Sequence, residues 1–86
     1  MDTKALELLF FEYYPDFQLT VYLSPLTSTT QFCILDKTCT KQLVKESSIH
    51  VGTKNLTKLS TDRARFNVLQ PKFEQMIDML DSTALD

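Results

Sequence analysis

Between Pro15 and Pro25 the chain alternates without interruption. Phe17, Leu19, Val21 and Leu23 fall on one side of an extended backbone, and Gln18, Thr20, Tyr22 and Ser24 fall on the other. Successive side chains of a strand point to opposite faces, so a period of two predicts a strand with one face on a core and one in water. Pro25 closes it, since a proline has no amide to give to a ladder. A strand of this kind constrains everything around it. It needs neighbours to pair with and an apolar layer to lie on.

The neighbours are legible next to it. Thr27 to Thr30 reads as a polar loop. Gln31 to Asp36 holds the apolar run Phe32-Cys33-Ile34-Leu35, which fits a central strand. Asp36-Lys37-Thr38 reads as a turn, and Cys39 to Glu46 as a third strand completing a hairpin. Ser47-Ser48 is expected to break that strand. Ile49-His50-Val51, ended by Gly52, is expected to form a short fourth one.

Helices supply the apolar layer. Thr3 to Tyr14 carries Leu6, Leu9, Phe10 and Tyr13 on one helical face, which should meet the core. Asp2 or Thr3 can cap its start, and Pro15 ends it, because the residue before a proline avoids the helical region. Thr53 to Ser60 reads equally well as a loop or as the opening of a helix. Further on, Phe66, Leu69, Phe73, Met76, Ile77 and Leu80 share an arc of about 100°. Pro71 interrupts that segment on its opposite side. Two readings remain open: one kinked helix from Thr61 or Asp62 running through the proline, or a strand over Ala64 to Leu69 followed by a helix from Pro71. The unbroken phase of the stripe favours the single helix. The expected fold is α+β: a small antiparallel sheet of three to four strands, with an N-terminal and a C-terminal helix packed on one face. Residues 1–86 make one domain, with a frayed tail over 82–86.

Composition narrows the function classes. A single glycine among 86 residues leaves no glycine-rich phosphate cradle. Walker, GxGxxG, HExxH, CxxC and GxSxG patterns are all absent from the sequence. Two cysteines, Cys33 and Cys39, with the lone His50 fall short of the four ligands of a structural zinc site. No cofactor, metal or small-molecule substrate is expected. No apolar run approaches the ~20 residues of a membrane span, and the first residues lack the pattern of a signal peptide. Both cysteines are read as reduced thiols, and the expected setting is cytoplasmic. His50 beside Cys33, Cys39 or a serine would be needed for an enzyme, and no spacing brings them together. Asp78 and Asp81, at i and i+3, read as a solvated helix face.

Charge is segregated along the chain. Residues 37–72 hold eight of the nine basic side chains, opposed only by Glu46 and Asp62, a surplus of six positive charges. The segments before and after each carry a surplus of four negative charges, which gives a net charge of −2. A basic patch is one reading, able to meet phosphates or an acidic protein. Interleaving of the segments, with mutual neutralisation, is the other. Only Phe66 lies among these basic residues as an aromatic, so base stacking has little support.

The N-terminal helix has more apolar residues than one face can hide. With Leu6, Leu9, Phe10 and Tyr13 inward, Leu8, Phe11 and Tyr14 point elsewhere and become candidate interface anchors. The first reading is therefore a non-enzymatic protein-binding module: an adaptor, a small complex subunit, or an inhibitor or immunity-type protein. Its partner is another protein or a second copy of the chain. Leu8, Phe11 and Tyr14 supply the anchors, and Lys41, Lys45, Lys54 and Lys58 the polar rim. The alternative is RNA or DNA backbone binding through Lys37, Lys41, Lys45, Lys54, Lys58, Arg63 and Arg65. A small enzyme using His50 with a cysteine ranks last.

Leu9-Phe10-Phe11-Glu12 before Pro15, the strand Leu19-Thr20-Val21-Tyr22-Leu23 and the hairpin from Phe32 to Val44 form an order of helix, three strands, helix. That order resembles the small Alu-domain subunits of the signal recognition particle, over about half of the chain. The resemblance implies an RNA-binding protein that pairs as a heterodimer. The acidic pI and acidic C-terminal segment depart from those basic proteins.

Overall fold

The computed structural model describes residues 1–37 and 46–83. Six elements follow in order: α1 (Thr3–Tyr13), β1 (Phe17–Ser24), β2 (Thr29–Asp36), β3 (Glu46–Gly52), α2 (Thr53–Thr57) and α3 (Asp62–Thr83). The three strands form one antiparallel sheet in the order β1-β2-β3. In this register Leu19 faces Ile34 and Val21 faces Phe32, while Phe32 also faces Ile49 and Thr30 faces Val51. All the buried strand residues therefore share one face. Helices α1 and α3 cover it, with Leu6, Phe10, Phe66, Leu69, Phe73, Met76 and Leu80 completing the core. Phe73 sits at its centre, with ring centroids 5.3 Å from Phe10, 5.7 Å from Phe32 and 5.8 Å from Phe66. The α+β class and the helix-covered sheet are those the sequence predicts.

Local chemistry explains the ends of the elements. Asp2 caps α1, its carboxylate accepting from the amides of Lys4 and Ala5. Thr61 caps α3, its hydroxyl accepting from the Ala64 amide at 3.1 Å. Helix α3 runs unbroken through Pro71, which is exposed, so the single-helix reading is the right one. It also continues through Thr83, so the chain is still helical at 82 and 83, where fraying was expected. The remaining tail residues lie outside the described residues.

Several details differ from the sequence reading. Ser47-Ser48 does not end a strand: β3 passes through both and on to Gly52. Serine is a weak breaker, and the pairing of Ile49 and Val51 with Phe32 and Thr30 overrides it. Among the described residues the sheet has three strands, and most of the expected Cys39–Glu46 strand lies outside them. Thr29 and Thr30 belong to β2 rather than to the loop. Tyr13 and Tyr14 exchange roles. The helix stops at Tyr13, and Tyr14 leaves helical phase at φ −133°, ψ 69°. Its ring thereby swings onto Phe10, at 4.9 Å, and packs against the core, while Tyr13 stays exposed.

Candidate interaction surface

The outer side of α1 is apolar and open. Leu8 is 66% exposed and Phe11 51% exposed, while Leu6 and Phe10 on the opposite side are fully buried. A groove of about 290 Å³ runs between this side of α1 and the start of β1, lined by Lys4, Glu7, Leu8, Phe11, Phe17, Gln18 and Leu19. It follows a sheet edge, because among the described residues β1 has a neighbour only in β2. The Val21 amide points out of the sheet here and donates to Glu7 Oε2 at 3.0 Å. Alternate residues of an edge strand turn the same way, so the backbone groups of Leu19 and Leu23 face outward too. Lys37 closes one end of the apolar strip, its Nζ 4.6 Å from the centre of the Phe11 ring.

The other sequence candidates scatter. Tyr14 is turned toward α3: its hydroxyl accepts from Gln70 Nε2 at 3.2 Å and donates to Glu74 at 3.4 Å. Burial pushes its phenol above the ordinary tyrosine range; the Gln70 hydrogen bond acts in the opposite direction, and Glu74 and Tyr13 add smaller upward contributions. Tyr14 thus joins two helices and does not extend the Leu8–Phe11 strip. Lys54 and Lys58 lie in and just after α2, near the far end of β1. At about 3.3 Å per residue, the Leu19 and Ser24 ends of β1 stand roughly 17 Å apart, so these lysines do not rim the α1 groove. Lys41 and Lys45 lie outside the described residues.

The basic segment is partly used up inside the fold. Arg65 is buried, against the expectation of a surface cation. Its Nε donates to Leu56 O at 2.9 Å, Nη2 to Leu59 O at 2.6 Å, and Nη1 to Asp62 at 2.6 Å. It satisfies carbonyls at the end of α2, a task suited to the five-donor guanidinium fork. Arg63 donates to the Tyr13 hydroxyl and lies over that ring. Of the nucleic-acid candidates, Lys54 and Lys58 remain as exposed cations without such an engagement among the described residues.

The face of the sheet turned away from α1 and α3 carries Tyr22, Gln31 and His50 in one row across the strands. Cys33 pairs with Ser48 and so stands diagonal to His50 on that face, a proximity the spacing did not reveal. Its thiol is pushed above the ordinary cysteine range, first by burial and then by the nearby Glu46 charge. A nucleophilic cysteine needs the opposite shift. Among the described residues no three His, Cys, Asp or Glu side chains converge on a metal position, and no helix is long and apolar enough to cross a membrane.

Sequence reasoning missed Glu7, which reads as an ordinary solvated helix residue until β1 is placed beside it. No one-dimensional signal marks a carboxylate that will meet a strand edge. Compared with protein-family models, characterised proteins and solved structures, the chain matches none. The Alu-domain resemblance therefore rests on the order of elements alone.

Proposed function

We propose that the chain is a non-enzymatic protein-binding module that holds its partner along the groove between α1 and the edge of β1. The observation that carries this reading is the exposure of Leu8 and Phe11 on a helix whose inner face is already sunk in the core. Full burial of such a side chain contributes roughly 1.5–3 kcal/mol, so completing the burial of this pair offers about 2–3 kcal/mol. The adjacent outward backbone of β1 adds a second attachment at Leu19 and Leu23, on either side of the Val21 amide that Glu7 already holds. An extended protein segment can pair with a sheet edge while its alternate side chains fill a neighbouring groove. Lys4 and Glu7 at the rim would bias the register. The nucleic-acid alternative draws less from this arrangement, since Lys37, Arg63 and Arg65 are engaged within the chain. An intracellular setting belongs to the same reading, in keeping with Cys33 as a free thiol.

The test pairs Leu8→Glu with Phe11→Glu in one variant. Its melting temperature should stay within a few degrees of the wild type. Proteins retained by the wild type from extracts of its source cell, or its own second copy in sedimentation, should be lost. An unfolded variant, or one that keeps the same associations, refutes the proposal.

A further inference from the structure

The hairpin end of the sheet is built differently from the α1 side. Ser28 adopts φ 53°, in the left-handed region, and so reverses the chain between β1 and β2. Its carbonyl accepts the Thr53 amide at 2.9 Å. Thr30, fully buried, shares a 2.9 Å hydrogen bond between its hydroxyl and that of Thr53. These two links fasten the β1–β2 turn to the start of α2. A cleft of about 420 Å³ lies between them, with Leu23, Ser24, Pro25, Ser28, Lys54 and Thr57 on its walls.

The lining combines two chemistries. Leu23, 51% exposed, and Pro25 give an apolar floor. Among the described residues, Lys54 is the only charged one of the lining, and no ion pair to it occurs. Lys58 follows one helical turn later and adds a second positive charge on the same side. We infer that this cleft docks an acidic protein segment, with a carboxylate on Lys54 and the neighbouring apolar side chain on Leu23 and Pro25. A nucleic-acid backbone fits less well, because it calls for several cations spaced along phosphates rather than one or two beside an apolar floor. Among the described residues the cleft shares none with the α1 groove, so the inference stands apart from the function proposed above.

The test is a titration of the ¹⁵N-labelled full chain with acetyl-Glu-Leu-Glu-amide, followed by amide shifts. Saturable shifts centred on Leu23, Ser24, Ser28, Thr53 and Lys54 are expected, with a dissociation constant in the millimolar range. The acetyl-Gln-Leu-Gln-amide analogue, and separately Lys54→Gln, should each weaken binding about two- to fivefold, the range of one exposed ion pair. Leu23→Ser should weaken it by a similar factor. Lys54 is exposed, so the spectrum of Lys54→Gln should otherwise match the wild type. Shifts centred elsewhere overturn the inference, as do absence of saturation and equal affinity for the neutral peptide. Tighter binding of an oligothymidylate than of the acidic peptide at the same residues also overturns it, in favour of phosphate recognition.

Discussion

Phe10 and Phe11 are chemically identical and adjacent, and the fold gives them opposite fates. Phe10 is fully buried, its ring 4.9 Å from Tyr14 and 5.3 Å from Phe73. Truncation to alanine removes its transfer energy and leaves a cavity, together costing about 3–5 kcal/mol. Phe11 is half exposed, so only about half of a 1.5–3 kcal/mol transfer energy is at stake. Loss of the Lys37 contact adds roughly 0.5–1 kcal/mol, and the better helix propensity of alanine returns roughly 0.5. The net cost of Phe11→Ala is about 1 kcal/mol. An 86-residue chain has about 4–13 kcal/mol in all, so Phe10→Ala consumes a large share of it and Phe11→Ala little. At about 4–8 °C per kcal/mol, the melting temperature should fall by roughly 12–40 °C for Phe10→Ala and by roughly 4–8 °C for Phe11→Ala. Thermal melts and urea titrations followed by circular dichroism measure the temperature shifts and the free-energy costs. If Phe10→Ala fails to fold, Phe10→Leu supplies a measurable point at about 1–2 kcal/mol. Equal losses at the two positions would refute the reasoning, because Phe11 would then belong to the core and the α1 groove would lose its anchor.

Arg65→Ala should cost about 2–4 kcal/mol, since Leu56 O, Leu59 O and Asp62 all lose a charged donor. Arg65→Lys should recover only part of this, as one ammonium cannot span three acceptors; a loss below about 0.5 kcal/mol on urea denaturation for Arg65→Ala counts against the assignment. In a Cys39→Ser background, Cys33 should be alkylated with a midpoint pH above that of the same chain in denaturant. The folded thiol resists ionisation, so Cys33 favours folding below the ordinary thiol range and loses that contribution as pH rises through its folded pKa. A midpoint at or below the denatured one contradicts the burial argument. Pro71→Ala should raise the melting temperature, because an exposed mid-helix proline costs up to about 3 kcal/mol against alanine; a lower one would mean that the packing of α3 depends on the proline.

What was legible in the sequence was periodicity. The alternation of Phe17 to Ser24 and the stripe from Phe66 to Leu80 each arise from one element meeting one core, and both reappear with the predicted faces inward, except that Leu23, at the end of β1, is left exposed. Leu8 and Phe11 were legible for the same reason, as the residue left over when a helical face is full. What escaped was settled by contacts distant in the chain. Tyr14 replaces Tyr13 in the core because the helix ends one residue earlier than the pattern suggests. Arg65 looks like a surface cation until the end of α2 comes to rest beside it. The hairpin-end cleft needs Ser28 and Thr53 brought together from 25 positions apart, and no local pattern announces that.

Strand order β1-β2-β3 also has a kinetic consequence. Each pairing in the sheet joins strands consecutive in the chain, so the meander can zip between segments close in sequence. The clasp between the helices is a different matter, since Tyr14 meets Gln70 and Glu74 across 56 and 60 positions. We expect the sheet to form ahead of that clasp, so that truncating Phe32 slows folding whereas Tyr14→Phe chiefly hastens unfolding. A stopped-flow chevron with the reverse partition would show that the two ends of the chain meet first.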